Sequence, residues 1–191
     1  MKKLICLSVF LLIAVQLGSA DQIFFQPQTQ SGNVGDNFFV DVMYSGAAAP
    51  WLGGYDIDIG FVSAILQPFS VSWGGDFLGL STLHDTIMVS PGLANVYELS
   101  FSSVSDLGTL QSVQDPFRLF TFQFMGLAPG TSPLTFDRVD LSDGNGALFS
   151  PAGAPAGSIT INGPSVREPA EWFMLIPMLS GLAFLRFRKC S

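Results

Sequence analysis

Between Leu52 and Phe61 the chain reads Leu-Gly-Gly-Tyr-Asp-Ile-Asp-Ile-Gly-Phe, and no other stretch narrows the folds open to it so sharply. Side chains of a strand alternate between its two faces, so Tyr55, Ile57, Ile59 and Phe61 share one face while Asp56 and Asp58 share the other. Helical periodicity would mix the two sets on one surface. The segment is therefore a strand with a dry side and a wet side. Asn37 to Tyr44 repeats the pattern, with Phe38, Val40, Val42 and Tyr44 opposed to Asp41. The run from Phe117 to Met125 places Phe120, Phe122 and Phe124 together.

The rest of the central stretch follows suit. Ile23 to Pro27 reads as an edge-lying strand, because Pro27 cannot donate to a ladder. Asn33-Val34-Gly35-Asp36 is a turn, and Ser45 to Pro50 a loop. Further strands are expected at Ala64–Trp73, Thr86–Ser90, Asn95–Phe101, Ser132–Leu141 and Gly157–Ile161, with a short helical turn at Leu107–Gln111 and Gln114 beyond it. Turn residues recur about every 10 residues, the spacing of a sandwich or barrel. The expected fold class is all-β, an antiparallel β-sandwich of two packed sheets. No repeat of solenoid length interrupts it.

Both ends differ from this body. Lys2 and Lys3, an apolar run from Leu4 to Leu17, and Gly18-Ser19-Ala20 before Asp21 make a secretory signal peptide over 1–20, cut between Ala20 and Asp21. After the last expected strand, 163–171 form a linker. Residues 172–191 then supply an uncharged apolar stretch, Trp172 to Leu185, closed by Arg186, Arg188 and Lys189. Such a segment can enter a bilayer as a helix, with its basic end held on the cytoplasmic side. It falls short of the ~20 residues of a full span, so snorkelling arginines would have to complete it. The cysteines, Cys6 and Cys190, lie in these end segments, so the body over 21–162 can use neither a disulfide nor a thiolate-held zinc. Burial must stabilise it. Most of the chain's eighteen phenylalanines lie there, each contributing roughly 2 to 3 kcal/mol if buried.

From Asp21 to Ser165 the basic side chains are Arg118 and Arg138, set against many aspartates and Glu98. An acidic surface of this kind repels nucleic acid, which is not an expected partner. Catalytic chemistry is thinly supplied. His84 stands near Ser81 and Asp85, but no Gly-x-Ser-x-Gly elbow accompanies them, and a loop histidine is the expectation. Gly53-Gly54 and Gly74-Gly75 lack the helix and lysine of a phosphate loop. Asp56 and Asp58 lack a nearby third ligand or base, which leaves them as a solvated face. Asp140, Asp143 and Asn145 offer hard oxygens around a Gly-bearing turn, the ligand type of calcium, although no glutamate completes an EF-hand and Asp-Gly and Asn-Gly are common hairpin dipeptides. Trp51 in a loop and Trp73 in an aromatic turn are the candidate binding aromatics, able to stack on a sugar ring or anchor a protein.

Two resemblances rest on these residues. Val34-Gly35-Asp36-Asn37-Phe38-Phe39-Val40-Asp41-Val42, Leu52-Gly53-Gly54-Tyr55-Asp56-Ile57-Asp58-Ile59, Phe117 to Phe124 and Gly130 to Phe136 together resemble the cohesin-type and carbohydrate-binding-module-type sandwiches of bacterial extracellular proteins. That resemblance implies a jelly-roll-like sandwich of about nine strands and a non-catalytic interaction role. Cohesins bind dockerin modules through one sheet face. The tail, Arg167-Glu168-Pro169 followed by the apolar stretch and Arg186, Arg188 and Lys189, is similar to the PEP-CTERM sorting signal of Gram-negative bacteria, with arginine in place of its first proline. This implies processing by a membrane exosortase and delivery to the envelope or extracellular matrix. The expected function is that of an exported, surface-sorted scaffolding module without catalytic activity, whose ligand is a protein or a polysaccharide. The alternative is a carbohydrate-binding matrix protein, calcium-stabilised through Asp140, Asp143 and Asn145.

Overall fold

The alternation at Leu52–Gly60 folds as its pattern demands: Tyr55, Ile57 and Ile59 are buried, and Asp56 and Asp58 stay partly exposed. The computed structural model describes residues 21–46 and 49–163. The signal segment with Ala20, the tail 172–191, and Arg167, Glu168, Pro169, Arg186, Arg188 and Lys189 lie outside the described residues.

Eleven strands are found among the described residues. They are β1 (Gln22–Gln26), β2 (Thr29–Asn33), β3 (Asn37–Ser45), β4 (Leu52–Gly60), β5 (Leu66–Trp73), β6 (Thr82–Ser90), β7 (Leu93–Ser100), β8 (Phe117–Gly126), β9 (Gly130–Asp143), β10 (Leu148–Phe149) and β11 (Gly157–Asn162). One helix, α1 (Val104–Gln111), bridges β7 and β8. A four-stranded sheet runs β1-β3-β8-β5, and a larger one runs β2-β11-β9-β4-β7-β6, with β10 added to β9.

Three expectations are corrected. The count is eleven strands, not about nine, because β2 and β10 carry no hydrophobic alternation: β2 is Thr-Gln-Ser-Gly-Asn, and β10 spans two residues. The sandwich is not wholly antiparallel, since β2 pairs in parallel with β11. Pairing of β1 with β3 stops at Gln26, beside Pro27, and the chain crosses to the other sheet to form β2. Glycine at position 32 is needed there, because a Cβ would lie 2.8 Å from the Phe38 ring. Finally, β6 starts four residues earlier than its apolar run suggests, which puts His84 on a strand and not in a loop.

The core lies between the sheets. Phe120, Phe122 and Phe124 of β8 meet Tyr55, Ile57 and Ile59 of β4, with Val40 and Val42 from β3 and Ile159 from β11. Tyr55 and Phe120 stack at 5.7 Å, and Phe25 lies flat on Phe136 at 4.1 Å. Helix α1 closes one end. Ser103 caps it, its hydroxyl oxygen accepting the Asp106 N–H at 3.2 Å. Leu107 enters the core. Buried Gln111 acts as a surrogate strand partner: its side-chain oxygen accepts the Leu52 N–H at 2.9 Å, and its amide donates to the Leu52 carbonyl at 2.7 Å and to the Phe77 carbonyl at 3.1 Å.

Candidate functional site

Register gathers charge on the outer face of the larger sheet. Asp56 and Asp58 point outward from β4. The β4–β9 pairing sets Asp140 opposite Asp56 and Arg138 opposite Asp58, and the β4–β7 pairing sets Asn95 opposite Asp58. The Arg138 guanidinium then reaches all three carboxylates: Nε donates to Asp58 at 3.0 Å, Nη2 to Asp56 at 2.8 Å and Nη1 to Asp140 at 3.1 Å. Asn95 donates to Asp58 at 2.8 Å and also to Asp56. The hydrogen bond from Arg138 holds the Asp58 carboxyl below the usual carboxylate range, against the opposing effect of its burial. Three carboxylates share one cation, so the patch keeps a negative excess.

Beside it lies a trough of about 310 Å³ over Gly54, lined by Asp56, Tyr97, Leu99, Asp140, Ser142 and Leu148. Apolar walls with acidic groups at one side suit a partner side chain that is itself amphipathic. Leu83 and Ile87 continue the apolar surface along β6. Sequence reasoning singled out Asp56 and Asp58 but missed Arg138, Asn95, Tyr97 and Leu99. A signal was available for the first: Arg138 is one of two basic residues in the body and stands two positions from Asp140, hence on the same face.

The other candidates separate. Trp51 is partly buried where the chain enters β4 and abuts α1 at Gly108, where a Cβ would come within 2.7 Å of the indole nitrogen. A mid-helix glycine costs about 1 kcal/mol relative to alanine, and here it makes room for the indole. Trp51, Asp143 and Asn145 line one cavity of about 350 Å³ with Pro50, Val104 and Gly144. Asp143 closes its own turn by accepting the N–H groups of Asn145 at 2.8 Å and Ala147 at 2.9 Å, which depress its carboxyl below the usual range. Asp140 is not in that cavity; it belongs to the Arg138 cluster. The calcium trio is thus split between two places. Among the described residues no group of three or more His, Cys, Asp or Glu side chains is placed to hold a metal.

Trp73 packs on Phe120, with ring centres 6.4 Å apart, and lies 4.3 Å from the His84 ring. His84 faces the interior side of β6, with Nδ1 4.0 Å from the carboxylate of buried Glu98, which itself accepts the Tyr55 hydroxyl at 2.9 Å. Asp85 turns to the opposite face and accepts the Thr86 N–H, so Ser81, His84 and Asp85 assemble no triad. Asp21, the residue after the expected cleavage point, is half-buried. Its carbonyl accepts the Ala152 N–H at 2.7 Å, and burial pushes its carboxyl pKa up.

No family model matches the chain, and no curated protein matches its sequence. Solved structures do match in fold. The sixth cohesin of scaffoldin B from Acetivibrio cellulolyticus, solved in complex with a dockerin, is 14% identical at a TM-score of 0.59, over 75% of this chain and 100% of that one. A type I cohesin–dockerin complex from Clostridium thermocellum gives 17% and 0.59, over 75% and 99%. A non-cellulosomal cohesin from the archaeon Archaeoglobus fulgidus gives 16% and 0.58, over 75% and 92%. The described body is a cohesin-like β-sandwich.

Proposed function

We propose that this chain is an exported, surface-sorted interaction module that binds a protein partner through the outer face of β9, β4, β7 and β6 and performs no catalysis. The observation that carries the reading is the trough over Gly54. It joins apolar Tyr97, Leu99 and Leu148 to the under-neutralised carboxylates of Asp56 and Asp140 on a rigid sheet. A cohesin-like fold whose solved neighbours include dockerin complexes supports a protein ligand. The partner presents a cationic, long-stemmed side chain to that trough. Export rests on the signal features of 1–20. Sorting to the Gram-negative envelope or matrix rests on Arg167-Glu168-Pro169, the apolar stretch and Arg186, Arg188 and Lys189, with an exosortase-type enzyme as processing partner and the membrane as a transient anchor.

Affinity capture from the surface fraction of the producing cells tests the binding. The unmodified chain retains a partner, and Leu99→Glu loses it while keeping its β circular-dichroism spectrum. Equal capture by both sinks the face assignment. Mass spectrometry of the exported protein tests the sorting: ends at Asp21 and within 163–171 are expected, whereas an intact chain in the cytosol refutes export. A second reading is favoured by the cavity that unites Trp51, Asp143 and Asn145: an aromatic face beside a carboxylate and an amide suits a polysaccharide. Glycan-array binding abolished by Trp51→Ala would select it.

A further inference from the structure

Where β1 begins, two carboxylates and a buried phenol converge on Gly46. The β1–β3 register, with Gln22 opposite Ser45, carries Asp21 to a place opposite Gly46. Asp21 is pinned there by the Ala152 N–H on its carbonyl, and Ile23 donates its N–H to the Gly153 carbonyl at 3.0 Å. A Cβ at Gly46 would collide with the Tyr44 hydroxyl and lie 2.6 Å from Asp21 Oδ1. On the same glycine, Asp115 Oδ1 accepts the Gly46 N–H at 3.0 Å. Tyr44 is fully buried, and its hydroxyl has no hydrogen-bond partner among the described residues. Burial raises the Asp21 carboxyl pKa, and the Asp115 charge adds to the rise. Among the described residues neither aspartate joins an ion pair. The basic side chains there are engaged elsewhere: Arg118 against Asp41, Arg138 with Asp56, Asp58 and Asp140, and His84 beside Glu98.

We propose that Asp21, Tyr44 and Asp115 form a cation site, and that its occupant is the α-ammonium group of Asp21 itself. That group exists only once the leader is cut after Ala20, so the inference rests on the export reading above. Before the cut, the nitrogen belongs to a neutral amide. After it, the nitrogen carries a positive charge on the residue that register holds opposite Gly46, where directly opposed Cα atoms lie ~4.5–5.5 Å apart. The amine has its own side-chain carboxylate nearby in the folded and the unfolded chain alike, whereas Asp115 approaches only in the fold. The Tyr44 oxygen, which lacks a partner, can accept one of the ammonium N–H groups. Folding therefore favours the protonated amine, and by linkage the protonated amine favours the fold. That contribution is complete below the unfolded amine pKa, ~7.7–8.0, and is lost as pH rises through the higher folded value. Cleavage thereby fastens β1, the first strand of the sandwich, and the uncut chain lacks this tie. A divalent metal is the rival occupant, but two carboxylates and a phenol are a sparse set for calcium, which takes roughly 6 to 8 oxygens.

The test uses the exported protein purified from its producing cells, its N-terminus read by mass spectrometry. No lysine lies between Asp21 and Ser165, so reductive methylation with isotope-labelled formaldehyde marks the α-amine, and Lys189→Arg removes the lysine of the tail. The methylated amine still titrates, and its NMR signal is followed against pH in buffer and in urea. The folded amine is expected to hold its proton about tenfold more tightly than the same amine in urea. Asp115→Asn, whose amide oxygen still accepts the Gly46 N–H, should remove most of that difference. Equal affinities in buffer and urea overturn the proposal, as does a difference that Asp115→Asn leaves intact. A thermal midpoint raised by millimolar calcium in the unmodified chain, but not in Asp115→Asn, would assign the site to a metal and overturn it too. A mature chain that begins elsewhere than Asp21 refutes the cleavage reading together with this one. A chain that begins at Asp21 with an unshifted amine refutes this one alone. Should Asp115→Asn not fold, the comparison of buffer with urea for the unmodified chain decides.

Discussion

Each sheet carries one arginine on its outer face, and the two behave differently. Arg118 on β8 comes no nearer than 3.9 Å to its carboxylate, Asp41, which instead accepts the Thr121 hydroxyl. Arg138 on β9 makes three short charge-assisted hydrogen bonds. Exposure does not separate them, since both arginine side chains are 44% exposed. Register does. On the larger sheet the pairings bring Asp56, Asp58 and Asp140 around one guanidinium, whereas β3 offers β8 only Asp41, with Phe39 and Met43 as its same-face neighbours. One face became a charged platform while the other remained ordinary surface, from nearly the same residue types.

The comparison can be broken most severely from beneath. The platform rests on the inner side of β4, so Ile57→Ala, which empties a fully buried site, should destabilise the fold by about 3 to 4 kcal/mol in denaturant titration. Removing the helix-borne clamp comes next. Gln111→Ala strands the buried backbone groups of Leu52 where β4 begins, with an expected loss of about 2 to 4 kcal/mol. Arg138→Ala should cost about 1 to 2 kcal/mol, more than a lone surface pair because three carboxylates are left facing one another. The same titration measures all three, and an Arg138→Ala value within error of zero would show that the cluster is solvated and contributes nothing.

How much of this was readable beforehand follows from what period two can and cannot encode. The two faces of β4, the phenylalanine row of β8 and the general sandwich were legible, because alternation records burial directly. The edges were not. β2 is held by backbone bonds to β11 and by the close approach of Gly32 to Phe38, neither of which leaves a hydrophobic pattern. The site was half legible: Asp56 and Asp58 were visible as a wet face, but the cation that joins them lies 80 residues away and arrives only through strand pairing. Trp51, Asp143 and Asn145 were picked for separate reasons, and the fold brings them to one cavity. Asp140, chosen with them on sequence proximity, belongs elsewhere because three steps along a strand reverse the face.

Acid sharpens the contrast. Asp58 titrates below its ordinary range in the folded state, chiefly through the Arg138 hydrogen bond. The unfolded chain therefore takes up this proton first, near pH 4, and the stabilisation present above that pH is lost as pH falls through the lower folded value. Asp58→Asn should flatten the acid limb of a stability-versus-pH curve and leave a smaller stability at neutral pH. An unchanged acid limb would mean that Asp58 titrates alike in both states.

Arg118→Ala is the smallest change and the one that decides whether geometry or mere proximity matters. At 3.9 Å the ion pair with Asp41 lies at the limit of contact, both side chains are more than a third exposed, and salt screens such pairs strongly. The expected loss is below about 0.5 kcal/mol, with no change in partner capture. A loss equal to that of Arg138→Ala would mean that neither hydrogen-bond geometry nor carboxylate count decides what an arginine contributes here. The platform on the larger sheet would then be no more specialised than the opposite face, and the assignment of partner binding to it would lose its electrostatic basis.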